Sequence, residues 1–343
     1  MTEAGPIPLL TDELAAPFEP LSESSAAGLL ADEYAITTTA LRRLPTERDD
    51  TFLVSSGAER YVLKVAHPAD DPAVVDLQVG ASTHAAAADP SLPLSGVLTT
   101  VDGRTQPLLA TPAGPRIARL LTYLPGRTVD VEALTAAQRG ELGEVLARLA
   151  TALQGFRHPA QDRVLAWDLQ HLGSLRHLVP RLPDRTSRQA VTAVLDRFDA
   201  VTGPRLRKTR RQVLHNDLNP DNVLADPGAV PYVTGVLDFG DTVRTYLAVD
   251  LAVAMAYTVA PDGDGEVWAA PYDLVVGYQS VLALTEAERT LRPDLVRGRQ
   301  VQRLLLNAVL ATAPTEDPDR FARNLPIAAR QLQRLAAPAP DED

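Results

Sequence analysis

The first third of the chain alternates short apolar runs with turn residues, a pattern that predicts a small antiparallel sheet. One helix is expected over residues 72–88, because Pro72 is preorganised for a first helical turn and the alanine-rich run ends near Asp89. Ser56-Gly57 predicts a hairpin turn between two of the strands. The expected strands cover residues 34–44, 52–54, 61–65, 97–101 and 117–123.

The pattern changes near residue 124, after which apolar residues recur mainly with helical spacing. A β insert at 212–240 interrupts the helices, so the predicted fold class is α+β. We expect two lobes, at 34–124 and 125–337, preceded by an N-terminal extension at 1–33 and followed by a disordered acidic tail at 338–343. The expected helices cover residues 135–155, 187–201, 246–259, 271–283, 296–312 and 318–336.

Composition excludes several classes of protein. The chain has 343 residues and no cysteine, which excludes disulfides and thiolate chemistry. No apolar run approaches the ~20 residues that span a bilayer, and acidic residues precede the first basic one, Arg42, so neither a membrane partner nor a signal peptide is expected. A net charge of −11 argues against a nucleic-acid partner. We therefore expect a cytoplasmic protein.

Lysine is scarce in this sequence. Among 33 basic residues only Lys64 and Lys208 are lysines, so arginine supplies positive charge almost everywhere. Lysine is a compact point charge, whereas arginine is a broad planar fork, and the two are not interchangeable. A lysine kept within the apolar strand Val-Leu-Lys-Val, at Lys64, therefore indicates a specific role.

A polar loop between two apolar strands carries the strongest chemical signal. His215, Asp217 and Asn222 have the spacing H-x-D-x₄-N, and Asp238 opens a D-F-G sequence 16 residues after Asn222. A hairpin that turns at residues 226–228 would bring Asn222 and Asp238 to the same end. Two oxygen ligands beside a third carboxylate suit Mg²⁺, which takes few protein ligands and leaves room for phosphate oxygens.

With these motifs the sequence resembles the aminoglycoside phosphotransferase and choline kinase superfamily, and within it the hydroxylysine-kinase-type enzymes. The likeness extends over about residues 34–260 and includes the segments 44–52, 121–126, 167–169 and 250–257. It implies a two-lobed protein-kinase-like fold: a small antiparallel N-lobe with one helix, for nucleotide binding, and a mostly helical C-lobe with a catalytic hairpin and the acceptor pocket. It also implies Mg²⁺-dependent transfer of the γ-phosphoryl group of ATP or GTP to a hydroxyl of a small, amine-bearing acceptor.

The resemblance assigns a role to each residue of the motif. Asp217 would orient the acceptor hydroxyl and take its proton, and Asn222 and Asp238 would hold the metal ions that bridge the phosphates. His215 is expected to support the catalytic loop. Asp250 is expected to form a hydrogen bond with that loop rather than to touch the substrate.

The nucleotide site departs from the kinase pattern in two places. Lys64 matches the lysine that contacts the α- and β-phosphates, but the helix position that normally holds its glutamate partner is Gln78, with Asp76 as the alternative partner. No glycine-rich loop lies between the first two strands, where the turn at 45–51 stands instead. Backbone groups around Thr122 and Leu124 are expected to meet the purine.

The acceptor site is the least specified part of the sequence. Asp241 is a candidate for holding an amine or a metal, and the acidic loop with Asp262 and Asp264 is a candidate for a cationic substrate, although a plain solvated loop has the same composition. Asn216 stands where protein kinases have an arginine, and an apolar helix follows D-F-G too soon for an activation segment. The alternative to a small-molecule kinase is a nucleotide-binding pseudokinase or regulatory module. The acceptor, the choice of ATP or GTP and the oligomeric state stay open.

Overall fold

The computed structural model describes residues 19–46, 49–111, 114–313 and 318–340. In the first lobe these residues form a six-stranded antiparallel sheet: β1 (Ala40–Leu44), β2 (Asp50–Ser56), β3 (Glu59–Val65), β4 (Val97–Leu98), β5 (Leu108–Thr111) and β6 (Gly114–Thr122). The strand order is β1-β2-β3-β6-β4, with β5 paired to β6. Lys64 of β3 stands opposite Thr51 of β2 and Arg119 of β6.

Helix α1 (Glu23–Tyr34) covers one face of this sheet. Its buried Leu29 and Leu30 belong to the same apolar cluster as Leu63 and Val65 of β3. Because side chains alternate along a strand, Lys64 points away from α1, toward the other face. The expected extension at 1–33 is thus wrong for its last part, which belongs to the core of the lobe. Residues 1–18 lie outside the described residues.

The second helix of the lobe is α2 (Pro72–Ala88), which has the predicted bounds. The Asp71 side chain accepts a hydrogen bond from the Ala73 amide at 2.9 Å and thereby caps the helix. Two strand predictions need correction. The strand expected at 34–44 begins only at Ala40, because Ser22 caps a helix that continues to Tyr34. The strand expected at 97–101 is two residues long, and β5 was not predicted.

The second lobe is mainly helical. A buried apolar cluster joins its helices, and α6 packs against both α7 and α8. A 3₁₀ segment at Leu169–Arg181 was not predicted, because its turns do not have the 3.6-residue period of an α-helix. The helices are α3 (Ala136–Ala152), α4 (Arg185–Arg197), α5 (Gly203–Leu206), α6 (Leu247–Thr258), α7 (Ala269–Val281), α8 (Glu286–Leu310) and α9 (Pro318–Arg334).

Two glycines let α3 and α7 approach closely. A Cβ atom at Gly143 of α3 would lie 1.9 Å from the Leu274 carbonyl oxygen. A Cβ atom at Gly277 of α7 would lie 1.7 Å from the Gly140 carbonyl oxygen. Contacts this short with rigid backbone are forbidden, so the helix pair requires glycine at both positions.

A small sheet connects the interlobe segment to the motif loop. It contains β7 (Arg127–Thr128), β9 (Val223–Ala225) and β10 (Val233–Val236), in the order β10-β9-β7. The Thr234 hydroxyl donates to the Pro125 carbonyl at 2.6 Å, and Gly126 has a φ of 133° with no room for a side chain. The segment between the lobes is therefore fixed to the hairpin that carries the candidate site.

The motif loop itself follows a second strand pair. Strand β8 (Arg211–Leu214) pairs antiparallel with β11 (Val243–Tyr246), and α6 begins directly after β11. The predicted hairpin is present as β9 and β10. The loops after β8 and after β10 thus emerge close together, beside the first turn of α6.

The end of the described chain is packed rather than free. Ala339 is buried, and the Ala337 carbonyl accepts hydrogen bonds from the Trp268 indole and from Arg297. This corrects the disordered tail expected from residue 338, while 341–343 lie outside the described residues. Within the described ranges, none of the helices combines the length and the apolar character that crossing a bilayer requires.

Candidate active site

His215 holds the start of the motif loop in place. It is fully buried, and its Nε2 atom lies 2.9 Å from the carbonyl oxygen of Leu237, the residue that follows β10. Its Nδ1 atom accepts from the Asp217 amide at 3.3 Å, so Nε2 carries the proton and donates to that carbonyl. Burial lowers the pKa of His215, which keeps the ring neutral. The geometry is that of a support residue.

The next residue adopts a strained backbone that re-aims the loop. Asn216 has a φ of 64°, a left-handed conformation uncommon outside glycine. Its amide donates to Asp250 Oδ1 at 2.7 Å, and Asp250 is itself buried at the start of α6. The hydrogen bond expected between Asp250 and the loop is therefore present. Burial raises the pKa of Asp250 to about 7.

Asp217 lies at the centre of the site, where neighbouring groups orient its carboxylate. Its Oδ2 atom accepts hydrogen bonds from the side-chain amides of Asn219 and Asn222, both at 2.8 Å. Its Oδ1 atom accepts from Arg299 Nη2 at 3.2 Å. Burial, followed by the charge of Asp241, raises the pKa of Asp217 to about 8. A cation bound beside it would favour the ionised form that proton abstraction requires.

The two proposed metal ligands lie at the same end of the hairpin. The Leu237 amide donates to the Asn222 carbonyl at 2.8 Å, which places Asp238 next to Asn222. Asn222 directs its Nδ2 toward Asp217, so its Oδ1 atom points the other way. Asp238, with a φ of 56°, is half exposed, and the charge of Lys64 lowers its pKa.

This donor set fits a magnesium ion shared with phosphates. Carboxylate and amide oxygens are hard ligands, and Mg²⁺ keeps several positions for water or phosphate oxygens. Among the described residues, no group of three or more His, Cys, Asp and Glu side chains could hold a metal. Asn222 and Asp238 would supply two oxygen ligands to such an ion and leave its remaining positions for a nucleotide and water.

Lys64 reaches the hairpin from the other lobe. Its Nζ atom lies 3.7 Å from Asp238 Oδ2 and 3.4 Å from Asp49 Oδ2. Its side chain is only 16% exposed, so its charge acts in a partly desolvated setting. The structure therefore brings Lys64, Asp238, Asn222 and Asp217 together.

The partner of Lys64 differs from both residues that the sequence suggested. Gln78 accepts from Arg119 Nη1 at 2.7 Å, and Arg119 also donates to Asp49 at 2.9 Å. The Asp76 carboxylate instead forms hydrogen bonds with the side chains of His158 and Gln106 at the protein surface. Asp49, from the turn before β2, supplies the carboxylate that the helix lacks. Motif spacing could not identify it, because the turn has no counterpart in the glycine-rich pattern.

The interlobe segment begins at Thr122. The Thr122 amide donates to the Gly96 carbonyl at 2.9 Å, and the Thr122 hydroxyl oxygen accepts from the Gly96 amide at 2.8 Å. The Leu124 side chain packs over Gly235 of β10. Tyr123 is half-buried, and the guanidinium of Arg60 lies over its ring, 3.9 Å from the centroid.

Arg299 of α8 is a site residue that the sequence did not single out. It is 1% exposed, and beyond Asp217 it donates to the Trp167 carbonyl at 2.9 Å and to Gln302 at 2.8 Å. Its guanidinium lies 4.9 Å from the Trp167 ring centroid. One arginine among many carries no motif, and only the packing of α8 against the loop identifies it.

The three acidic substrate candidates separate into two places. Asp241 comes shortly after Asp238 in the sequence and is partly buried. Burial raises its pKa, although the charges of Arg163 and Arg299 act in the opposite direction. Asp262 forms an exposed ion pair with Arg330 of α9 at 3.1 Å, and Asp264 is exposed in the same loop. Within the described residues, no hydrogen bond or ion pair joins that loop to Asp217 or Lys64.

Comparison with known proteins gives a consistent result. The model of the phosphotransferase enzyme family (APH) matches residues 40–274. A hydroxylysine kinase of Danio rerio is 29% identical over 339 residues, covering 94% of this chain and 93% of the relative. A homoserine kinase of Xanthobacter autotrophicus is 30% identical over 267 residues, covering 76% and 77%.

Solved structures share the architecture. A microcompartment-associated aminopropanol kinase superposes with a TM-score of 0.70 at 22% identity, covering 91% of this chain and 95% of that one. The amicoumacin kinase hAmiN, in complex with AMP-PNP, Ca²⁺ and Ami, gives 0.67 at 14% identity, covering 90% and 93%. These likenesses confirm the predicted α+β, two-lobed kinase-like fold.

Proposed function

The chain belongs to the phosphotransferase enzyme family and is a small-molecule kinase, and from this premise we propose that it transfers the γ-phosphoryl group of ATP or GTP to a hydroxyl of a small, amine-bearing acceptor. Mg²⁺ is the proposed metal. The acceptors to test first are hydroxylysine and homoserine, on which the curated relatives are named to act.

The observation that carries this proposal is that a lysine of the N-lobe lies next to the motif residues of the C-lobe. Lys64 of the N-lobe lies 3.7 Å from Asp238, and Asp217 and Asn222 are hydrogen-bonded to each other in the loop beside it. Phosphoryl transfer needs little covalent chemistry from the protein, so positioning and charge stabilisation account for most of the catalysis.

Each group has a defined task in the proposed reaction. A metal ion held by Asn222 and Asp238 would neutralise charge on the phosphates. Lys64 binds the phosphates from the N-lobe side, and Asp49 and Asp238 hold its ammonium group in the cleft. Asp217 orients the acceptor hydroxyl and takes its proton, while Asn222 and Asn219 fix the plane of its carboxylate.

Asp241 and the C-lobe helices define the acceptor side. Asp241 lies beside Asp238 and carries a negative charge when ionised, which suits an amine. The loop with Asp262 and Asp264 is a weaker candidate for binding the acceptor. Its Asp262 forms an ion pair and a hydrogen bond with α9, and not with the motif loop.

The absence of a helix glutamate is the feature that favours the pseudokinase alternative. Asp49 weakens that alternative, because its carboxylate lies 3.4 Å from Lys64 and supplies the missing charge. A kinase is therefore the function that the geometry supports best.

A labelled-triphosphate assay tests the proposal. The protein is incubated with Mg²⁺, ATP or GTP, and separately with hydroxylysine, homoserine, choline, amino alcohols or aminoglycosides. We expect label transfer to at least one acceptor, and a rate ~10²–10⁴-fold lower with Asp217→Asn. Intact nucleotide binding without transfer to any acceptor would instead support the regulatory module.

A further inference from the structure

Two buried arginines lie one helical turn apart on α8, beside the motif loop. Arg299 is 1% exposed and Arg303 is 7% exposed. Residues four positions apart share one helix face. Both guanidinium groups approach the ring of Tyr257, with centroid distances of 5.9 Å for Arg299 and 4.5 Å for Arg303. Tyr257 in turn lines a small apolar cavity with Leu218 and Asn219 of the loop.

Arg303 carries a buried positive charge that no acidic side chain compensates within the described residues. Its Nη1 atom donates to the amide oxygens of Gln300 and Gln331, each at 2.7 Å. Burial lowers the pKa of Arg303, and the neighbouring charge of Arg299 lowers it further. A buried guanidinium without a counter-ion is costly, so such a group in an enzyme indicates an anion that is absent from the free protein.

The surroundings hold this guanidinium in one orientation. Gln300 donates its own Nε2 to the Ala256 carbonyl at 2.6 Å, and Gln331 donates to the Val259 carbonyl at 2.5 Å. Both amide oxygens are thereby directed at Arg303. Its Nε and Nη2 atoms make no hydrogen bond to the described residues and are not sealed from solvent.

Arg299 adds unused donor capacity on the same side. Its Nη1 and Nη2 atoms are engaged by Trp167, Gln302 and Asp217, while its buried Nε has no partner. Arg299 therefore contacts Asp217, the proposed partner of the acceptor hydroxyl, and lies one helical turn from Arg303, which lacks a counter-ion.

We propose that Arg303, assisted by Arg299, binds a carboxylate of the acceptor, so that the acceptor is a hydroxy amino acid and not an amino alcohol or an aminoglycoside. This inference rests on the proposed function and deepens it. The planar fork of arginine matches a carboxylate bidentately. Four residues of helix rise separate the two positions by ~6 Å, comparable to the reach of a short hydroxy amino acid from its hydroxyl to its carboxylate.

The nucleotide is a less suitable source of the anion. Its phosphates belong at Lys64 and Asp238, which meet at the interlobe side of the site. Helix α8 approaches Asp217 from the C-lobe, where the acceptor must enter. An anion at Arg303 is therefore expected to come with the acceptor.

The test compares acceptors that differ only in the carboxylate. Homoserine is paired with 3-aminopropan-1-ol, and hydroxylysine with its decarboxylated counterpart. Steady-state kinetics and calorimetric binding, the latter with Mg²⁺ and a non-hydrolysable triphosphate, are measured for the wild type, Arg303→Gln and Arg303→Met. Arg330→Gln, which breaks an exposed ion pair on α9, is the control.

We expect the wild type to prefer the carboxylated member of a pair. Both Arg303 variants should lose about 10- to 100-fold in kcat/KM for that acceptor, mostly through KM, with the triphosphate KM unchanged. For the decarboxylated acceptor, kcat/KM of the Arg303 variants should fall less than about twofold. Every kinetic parameter of the Arg330→Gln control should also change less than about twofold.

Each contrary result has one meaning. Turnover of carboxylate-free acceptors alone, or equal losses for both members of a pair, would overturn the inference and leave the kinase proposal standing. Arg303-dependent binding of the carboxylated acceptor without any phosphorylation would refute the kinase proposal and support the carboxylate site. A raised triphosphate KM in the Arg303 variants would assign the site to the nucleotide.

Discussion

The most informative perturbation in the N-lobe is Asp49→Asn, because Asp49 stands in for a charge partner that the helix lacks. The substitution keeps the size of the side chain and a hydrogen-bond acceptor for Arg119. It removes the negative charge that lies 3.4 Å from Lys64 Nζ. Both side chains are mostly buried, at 13% and 16% exposure, so solvent screens the pair only in part.

The size of the effect follows from this distance. At 3.4 Å and an effective dielectric constant of ~20, the Coulomb attraction is about 5 kcal/mol. Desolvation cancels much of it, so we take about 2 kcal/mol as the net contribution of this charged contact, the size typical of interactions with a charged group. If that energy holds Lys64 against the phosphates in the transition state, kcat/KM for the triphosphate falls ~30-fold.

Kinetics with varied triphosphate and saturating acceptor measure this loss. Asp102→Asn is the matched control, because Asp102 forms a salt bridge with Arg104 in the same lobe but is 55% exposed and far from the motif loop in sequence. We expect little change for the control. Equal kinetic parameters for the two variants would refute the view that Asp49 replaces the helix glutamate.

Three further outcomes are expected. Asp217→Ala should lower kcat by ~10²–10⁴-fold while the triphosphate dissociation constant, measured by calorimetry, stays nearly unchanged. Gly143→Ala should destabilise the fold by about 1–3 kcal/mol in thermal unfolding, because its Cβ would press on backbone of α7, whereas Gly28→Ala in α1, with open space around it, should not. Asp250→Asn should gain stability relative to the wild type as pH rises from 5 to 8, by about 2.5 kcal/mol at most, because burial raises the folded pKa to about 7 and the wild type loses that contribution on ionising; parallel stability curves would contradict this.

Local chemistry explains which parts of the fold were predictable. Helix α2 was predicted with its bounds because Asp71-Pro72 and Asp89-Pro90 mark its ends. Helix α8 begins ten residues before the predicted start, at Glu286. The structure carries the helix through Pro293 from a capping box at Thr285 and Glu288. Tertiary packing therefore overrides a local breaker that sequence patterns must respect.

The candidate site divides in the same way. Asp217, Asn222 and Asp238 lie on one hairpin, so their spacing along the chain determines their proximity in space. Asp49 and Arg299 reach the site from distant parts of the chain, and no spacing relates them to the motif. Their positions depend on the pairing of β2 with β3 and on the packing of α8, which single-sequence patterns do not specify.

The abundance of arginine in this sequence made Lys64 easy to recognise and made two buried arginines hard to recognise. All but two of the 33 basic residues are arginine, so a lysine within a strand was informative. The same excess made Arg299 and Arg303 look like ordinary surface charges, although both are buried and one has no acidic partner in the part of the chain that the structure describes. In such a sequence, burial and counter-ions, rather than residue type, distinguish a functional arginine from a solvated one.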